Sequence, residues 1–284
     1  MFSCFVDFSK AFDKVDYWKL FCQMIDDGSD VCLVKLLAFW YSNQSLCVVW
    51  QGCYSDKFMT GNGTKQGGVL SPYLFTRYIR PLLFALVQSR IGCNIGGLFV
   101  NNFAYADDMV LLAPSWYALQ ELIKILEHWC IKLEISCNTK KTVCMIFKPK
   151  KDRVITEHFP PFTLNGCTLS FVTQFKYLGY VISNTLNDDN DIRREIRNLF
   201  MRTSMLVSRF CKCSTNVMLR LFKSYCLSMY DLGLWEHFTV TTFDKFRSCC
   251  NKCINKFFWV LYRLDSRPPM SGVLNSDTAA FTDC

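Results

Sequence analysis

Three acidic residues stand where carboxylates could do chemistry. Asp7 follows the apolar run Phe2-Ser3-Cys4-Phe5-Val6 and precedes Phe8. Asp107 and Asp108 are adjacent, between the apolar segments Leu98–Ala104 and Met109–Ala113. Neighbouring carboxylates held in apolar surroundings raise each other's pKa, and desolvation raises both. A divalent cation is the usual remedy. Mg²⁺ prefers hard oxygen ligands, takes few carboxylates and completes its shell with water and phosphate oxygens. Two such acid sites that converge could hold two metals ~3.5–4 Å apart for in-line phosphoryl or nucleotidyl transfer. Taken alone, an Asp-Asp pair reads more simply as an exposed turn. A second cluster, Cys249, Cys250 and Cys253, invites a zinc reading, with Cys211 and Cys213 as further thiols. No second pair has structural-zinc spacing and His237 is not suitably placed, so these cysteines read as core or surface thiols. His128, His158 and His237 have no catalytic company.

The elements around these residues follow from pattern. Phe2, Cys4, Val6 and Phe8 alternate with a second, largely apolar set, which predicts a strand buried on both faces. Ala11–Asp27 reads as a helix ended by Gly28, and Val31–Tyr41 as another. Cys47–Phe58 is strand-like with a turn near Gln51-Gly52, and Gly61, Gly63, Gly67 and Gly68 make a loop. Ser71-Pro72 signals a helix start with Ser as cap, and Pro81 should kink or end that helix near Tyr78 or Ile79. The spacing of Leu119, Leu122, Ile123, Leu126, Cys130 and Leu133 predicts a helix from Ser115. Lys141–Phe147 reads as a strand and Phe162–Asn184 as paired short strands. Asp188, Asp189 and Asp191 sit where a helix N-terminus favours negative charge, ahead of the stripe Ile192, Ile196, Leu199, Leu206 and Phe210. Val217–Met229 and Phe243–Tyr262 read as further helices, and a polar tail follows Arg267-Pro268-Pro269. The first part mixes strands and helices and the second is nearly all helix, with the boundary near Asn184–Asp191. The class is α+β with a helical appendage.

Composition narrows the partners. With 284 residues, 51% hydrophobic and 20% charged, the chain is globular and long enough to bury a core. No apolar run approaches the ~18 residues of a membrane span, and no signal peptide is read, so no membrane partner is expected. The 17 cysteines are odd in number and irregularly spaced, which reads as reduced thiols in an intracellular protein, in nucleus or cytoplasm, with no disulfides. From Ile192 onward 14 Lys and Arg face 7 Asp and Glu, so that stretch carries +7 of the net charge of +8. A near-neutral body with a basic helical part suits a polyanion partner, although arginines that merely solvate helix faces give the same count. Lys148-Pro149-Lys150-Lys151-Asp152-Arg153 reads as a solvated basic loop.

Six stretches together resemble the reverse transcriptases of non-LTR (LINE-type) retrotransposons, in the family's order. Phe5-Val6-Asp7-Phe8-Ser9-Lys10-Ala11-Phe12-Asp13-Lys14-Val15 resembles the first catalytic block. The second is Gly63-Thr64-Lys65-Gln66-Gly67-Gly68-Val69-Leu70-Ser71-Pro72-Tyr73-Leu74-Phe75. Phe103-Ala104-Tyr105-Ala106-Asp107-Asp108 resembles the third, Asn138-Thr139-Lys140-Lys141-Thr142 the fourth, and Phe175-Lys176-Tyr177-Leu178-Gly179 the primer grip. Leu219–Trp235 resembles the helical segment after it. The resemblance implies a right-hand polymerase: a partial palm of antiparallel sheet and packed helices over 1–186, then a helical thumb and extension over 187–284.

Residue roles follow from the resemblance. Asp7 and Asp107 would be the main ligands of two Mg²⁺, with Mn²⁺ as an alternative, Asp108 a supporting acid, and the Phe8 carbonyl a further ligand. Phe12 stands where the family's steric gate selects deoxynucleotides; a plain core aromatic is the competing reading. Gln66 would face the incoming nucleotide and template, and Gly67 would let backbone approach closely; the rival is a loop and helix cap. Lys141 would neutralise the leaving pyrophosphate, or is an exposed strand-start lysine. Lys176, Tyr177, Leu178 and Gly179 would hold the primer end, or form a plain hairpin. The implied partners are an RNA template, a DNA primer or target DNA, and deoxynucleoside triphosphates. The chain departs from the family pattern in three ways. Only six residues precede Asp7, so the expectation is a chain without the fingers or an endonuclease, with Met1 read as a truncation or internal start. Arg77 and Pro81 stand in a helix where the family has ordinary helix formers. The expectation is therefore a truncated RNA-directed DNA polymerase. The alternative is a non-catalytic nucleic-acid-binding remnant of such an element.

Overall fold

The computed structural model describes residues 1–147, 159–211, 213–230 and 232–265, with side chains as far as Phe257. The basic run Lys148–Arg153, His158 and the tail from Arg267 lie outside the described residues. By internal contacts the chain divides into two compact units, Met1–Gln174 and Phe175–Cys284.

The first unit is built on strand β1, Phe2–Asp7, whose residues 2–6 are all buried. The two-sided apolar pattern thus forms the expected central strand. The expected single helix over Ala11–Asp27 is instead a 3₁₀ turn, Phe12–Lys14, followed by α1, Tyr17–Asp26. Asp16 makes the break: its carboxylate accepts from the Lys19 N–H and caps α1. Gly28 follows α1 with φ +78°, and α2 is Val31–Ser42. Two small ladders come next, β2 (Ser45–Leu46) with β5 (Phe58–Met59) and β3 (Val49–Trp50) with β4 (Cys53–Tyr54). Gln51 and Gly52, both at positive φ, turn the inner one.

Helix α3, Ser71–Gln88, continues through Pro81 and does not end near Tyr78 or Ile79. Pro81 has no N–H for the Arg77 carbonyl four residues earlier, and a carbonyl so orphaned would normally weaken the helix. Here Gln23 Nε2 on α1 donates to that carbonyl. The Ser71 cap is also corrected: Leu70 holds the cap position without a side-chain bond, and the Ser71 hydroxyl donates to the Lys65 carbonyl. A short hairpin, β6 (Cys93–Ile95) and β7 (Leu98–Val100), leads into β8 (Asn102–Tyr105) and β9 (Asp108–Ala113). Helix α4, Trp116–Lys132, is capped by Ser115, which accepts from the Ala118 N–H. Then come β10 (Val143–Ile146), β11 (Thr163–Leu164) paired with β12 (Cys167–Thr168), and β13 (Ser170–Phe171).

The main sheet has the order β13-β10-β1-β9-β8. It is antiparallel except for the β10–β13 pair. Helix α4 packs on β1 and β9 and against α3, which contacts α1. Cys4, Val6, Leu111, Leu119, Leu122, Phe75 and Tyr78 share one core with them.

The second unit opens on the hairpin of β14 (Gln174–Tyr177) and β15 (Tyr180–Ser183) and continues with α5 (Asp189–Phe210), α6 (Thr215–Tyr225) and α7 (Val240–Asp265). The division falls at the start of the hairpin, after Gln174, and α5 packs on β15. The three acids expected at the helix start do more than offset its dipole. Asp191, fully buried, accepts from the Val181 N–H, from Trp235 Nε1 and from Arg194. Asp188 accepts from the Tyr180 hydroxyl and the N–H groups of Glu236 and His237. Asp189 accepts from the Thr239 N–H. Cys226, Cys249, Cys250 and Cys253 lie in the core of this unit with Ile192, Leu199 and Phe222. Burial pushes the Cys249 and Cys250 thiols up to about 12.

Candidate active site

Strand register brings the acids together. β1 pairs with β9 antiparallel from Phe2↔Ala113 through Asp7↔Asp108, so the last residue of the central strand lies beside the first of its neighbour. β8 and β9 are joined by the two-residue turn Ala106-Asp107, with Tyr105 opposite Asp108. The turn holds Ala106 at φ +53°, a left-handed conformation rare without glycine. Asp7, Asp107 and Asp108 therefore gather at one end of the sheet, about a hundred positions apart in sequence. Asp7 and Asp107 are half-buried and Asp108 is exposed. The Asp108 carboxyl is held above its ordinary range by partial desolvation, then by the charges of Asp107 and Asp7. Solvent at its exposed surface screens that repulsion.

The other edge of Asp7 is held by the turn 138–142. The Asn138 N–H donates to the Asp7 carbonyl at 2.7 Å, and the Asp7 N–H donates to Thr142 Oγ1 at 3.2 Å. One residue on, Phe8 forms a bridge with Cys137. The Ser9 N–H donates to the Ser136 carbonyl, so the bonds flanking this bridge run through Asp7 and Ser9. Phe8 itself is buried. Lys141 is exposed on the same turn, its N–H donating to the Asn138 carbonyl. Thr142 and Asn138 were not singled out individually from the sequence; a polar residue opening an apolar strand was the available signal.

Phe12 and Gln66 sit on two loops stitched together. The Gly63 N–H donates to the Val15 carbonyl and the Thr64 N–H to the Phe12 carbonyl. Gly63 has φ +92°, and a Cβ there would lie 2.9 Å from the Asp13 carbonyl oxygen, so both conformation and space require glycine. Gln66 is exposed and its Nε2 donates to Asp13 Oδ1 at 3.0 Å. Gly67 follows at φ +77°. Phe12 is half-buried with its ring centroid 5.1 Å from that of Phe75 on α3. Beside this loop is a cavity lined by Asp13, Tyr17, Thr60, Thr64 and Gln66. The buried Tyr17 hydroxyl and Thr60 Oγ1 have no hydrogen-bond partner.

Lys176, Tyr177, Leu178 and Gly179 belong to the second unit. Leu178 (φ +47°) and Gly179 (φ +94°) form the tight turn between β14 and β15, with Lys176 exposed on β14.

A family model described as "Reverse transcriptase (RNA-dependent DNA polymerase)" matches residues 2–182. The chain belongs to the reverse transcriptase family. This member is 24% identical over 251 residues to the RNA-directed DNA polymerase from mobile element jockey of Drosophila funebris, covering 83% of this chain and 26% of that protein. It is 27% identical over 243 residues to the Pol polyprotein of the type-2 retrotransposable element R2DM of Drosophila melanogaster, covering 82% of this chain and 23% of that protein. The reverse transcriptase chain thus spans about a quarter of the length of these relatives, which are non-LTR retrotransposon polymerases. Among solved structures, apo telomerase from Candida Tropicalis aligns at a TM-score of 0.49 and 14% identity, over 93% of this chain and 43% of that one.

The family uses divalent metal ions. Among the described residues no three His, Cys, Asp or Glu side chains are grouped as a ready-made cage. The donor set is a register-paired Asp7 and Asp108 with Asp107 beside them, all hard oxygen, with Asp108 held above its ordinary range by partial desolvation and then by its neighbours' charge. Hard oxygen donors of this kind suit a divalent cation that completes its shell with water and substrate phosphates. No helix among the described residues is long and apolar enough to cross a membrane.

Proposed function

We propose that this chain carries template-directed DNA synthesis on RNA, with residues 1–186 as palm and 187–284 as thumb and extension. The observation that carries the proposal is the Asp7↔Asp108 register with Asp107 in the adjoining turn. Asp7 and Asp107 would hold Mg²⁺, or Mn²⁺, with Asp108 supporting and the Phe8 carbonyl completing a shell. Bound there, the metal supplies Lewis-acid stabilisation of charge on a primer 3′-oxygen and on the phosphates. The primer 3′-hydroxyl would give up its proton to solvent as its oxygen bonds the α-phosphorus of a deoxynucleoside triphosphate, the bond from that phosphorus to the α–β bridging oxygen would break, and pyrophosphate would leave. Lys141, exposed on the turn bonded to Asp7, would neutralise or protonate the pyrophosphate. Phe12, propped against Phe75, would pack under the incoming sugar and exclude a 2′-hydroxyl. Gln66, held by Asp13, would meet the nucleotide and template across the Gly67 loop. Lys176–Gly179 would grip the primer end, and the chain's partners would be an RNA template and a DNA primer or nicked target.

The test is extension of a labelled DNA primer on an RNA template with Mg²⁺. Extension by the wild type and its loss in Asp107→Ala support the proposal. No extension, or extension unchanged in the variant, ends it. A second reading, nucleic-acid binding without synthesis, is favoured by the exposed Arg193, Arg197, Arg209 and Arg220 on α5 and α6. Phosphate contacts of this kind position without reading sequence and weaken steeply with salt. Salt-sensitive binding without synthesis would select it.

A further inference from the structure

We propose that Thr142 is a positioning residue for Asp7, clamping the backbone from which the carboxylate projects. The inference deepens the proposed function and rests on it for the identity of the ligand, a divalent cation. On one edge β1 is paired along its whole length, through Asp7↔Asp108. On the other, its pairing with β10 ends at Phe5↔Val143, two residues short of Asp7. A strand end paired on one side only opens readily. The turn 138–142 closes that gap. It supplies one donor, the Asn138 N–H at 2.7 Å from the Asp7 carbonyl oxygen, and one acceptor, Thr142 Oγ1 at 3.2 Å from the Asp7 nitrogen.

The hydroxyl therefore stands where a ladder carbonyl would otherwise accept. With both peptide groups of Asp7 bonded on this edge, only the side-chain torsions remain to place the carboxylate. The clamp is itself rigid. Thr142 is fully buried. Its N–H and that of Lys141 both donate to the Asn138 carbonyl, at 2.8 and 3.1 Å, and the Lys140 N–H donates to Asn138 Oδ1 at 3.2 Å. The same bonds hold the turn bearing Lys141 in register with Asp7. Valine has the shape of threonine without the acceptor, whereas serine keeps the acceptor and loses a methyl group. The two substitutions separate clamping from packing.

The experiment reads amide hydrogen exchange at Asp7 by NMR and Mn²⁺ affinity by electron paramagnetic resonance of the free ion. It compares the wild type, Thr142→Val, Thr142→Ser and Asp7→Asn. The Asp7 amide should be protected in the wild type and in Thr142→Ser, and should exchange at least roughly tenfold faster in Thr142→Val. Mn²⁺ affinity should fall about 10–100-fold in Thr142→Val, as when partners of a metal ligand are removed, and should recover in Thr142→Ser. An unprotected Asp7 amide in the wild type overturns the clamp, even if Thr142→Val does not fold. So does unchanged exchange in Thr142→Val, or a serine variant as impaired as the valine variant. If Asp7→Asn binds Mn²⁺ as well as the wild type, the metal reading of the site has failed, and exchange at Asp7 decides the clamp alone.

Discussion

The survival of α3 across Pro81 should depend on Gln23, and a double-mutant cycle measures that dependence. Gln23 Nε2 donates to the Arg77 carbonyl that Pro81 cannot satisfy. Removing the donor in Gln23→Ala leaves a part-buried carbonyl without its partner, which costs about 1–3 kcal/mol. In a Pro81→Ala background the residue-81 N–H returns and bonds the same carbonyl. There the loss of Gln23 should cost less, by about 0.5–1.5 kcal/mol, within the range of coupling between residues that share a partner. Packing lost with the glutamine stem is common to both backgrounds and cancels. The assay is urea unfolding of the wild type, the two single variants and the double variant, with m-values compared so that a change in the denatured state is recognised. At about 2–4 °C per kcal/mol for a protein of this size, thermal melts should follow the same order. An equal cost for Gln23→Ala in both backgrounds would refute the compensation. The site has a stake in the outcome, because α3 starts directly after the Gln66 loop and reaches β8 at the base of the acidic hairpin.

Other consequences follow from single contacts. Trp235→Phe removes the indole N–H from the fully buried Asp191 carboxylate and should destabilise the second unit by about 1.5–3 kcal/mol in chemical denaturation. Tyr17→Phe discards a buried hydroxyl with no partner, so it should leave stability equal or higher; a lower melting temperature would mean the hydroxyl is bonded in solution. Gly63→Ala forces a Cβ against the Asp13 carbonyl at positive φ and should lower the melting temperature while freeing the Gln66 loop to proteolysis. Alkaline pH should weaken the fold in a defined window. Burial raises Cys249 and Cys250 to about 12 from 9.0, and raises Tyr78 to about 12 from 10.0. For a group whose folded pKa is raised, the unfolded chain loses its proton first. Stability is therefore full below pH 9 and falls as pH climbs toward 12, which urea titrations from pH 8 to 11 would detect.

Much of this architecture was readable because local pattern and tertiary need agree. The central strand announced itself through two apolar faces, and the acidic hairpin through two apolar runs meeting at Asp107-Asp108. The features that escaped depend on partners far along the chain. Pro81 broke its helix on paper because the carbonyl it orphans is answered by Gln23, 54 positions before Arg77. Thr142 looked like the start of a strand, and its role rests on the Asp7 amide 135 positions away. Ser71-Pro72 satisfied the rule for a cap, yet the serine hydroxyl was taken by the Lys65 carbonyl. The acids at 188–191 were assigned to the helix dipole, whereas their carboxylates mainly tie the hairpin and the segment 235–239 to α5. The convergence of Asp7 with Asp107-Asp108 came from motif order, and strand register supplies its physical cause.

The most direct test is single-nucleotide incorporation on an RNA template with a DNA primer, titrated with Mg²⁺, for the wild type, Asp7→Asn and Asp107→Asn. The expected result is metal-dependent incorporation by the wild type and a loss of about a hundredfold to a thousandfold in each variant at saturating metal, as when a group that stabilises transition-state charge is removed. Incorporation that persists in both variants, or that needs no divalent metal, would contradict the assignment of these carboxylates to catalysis.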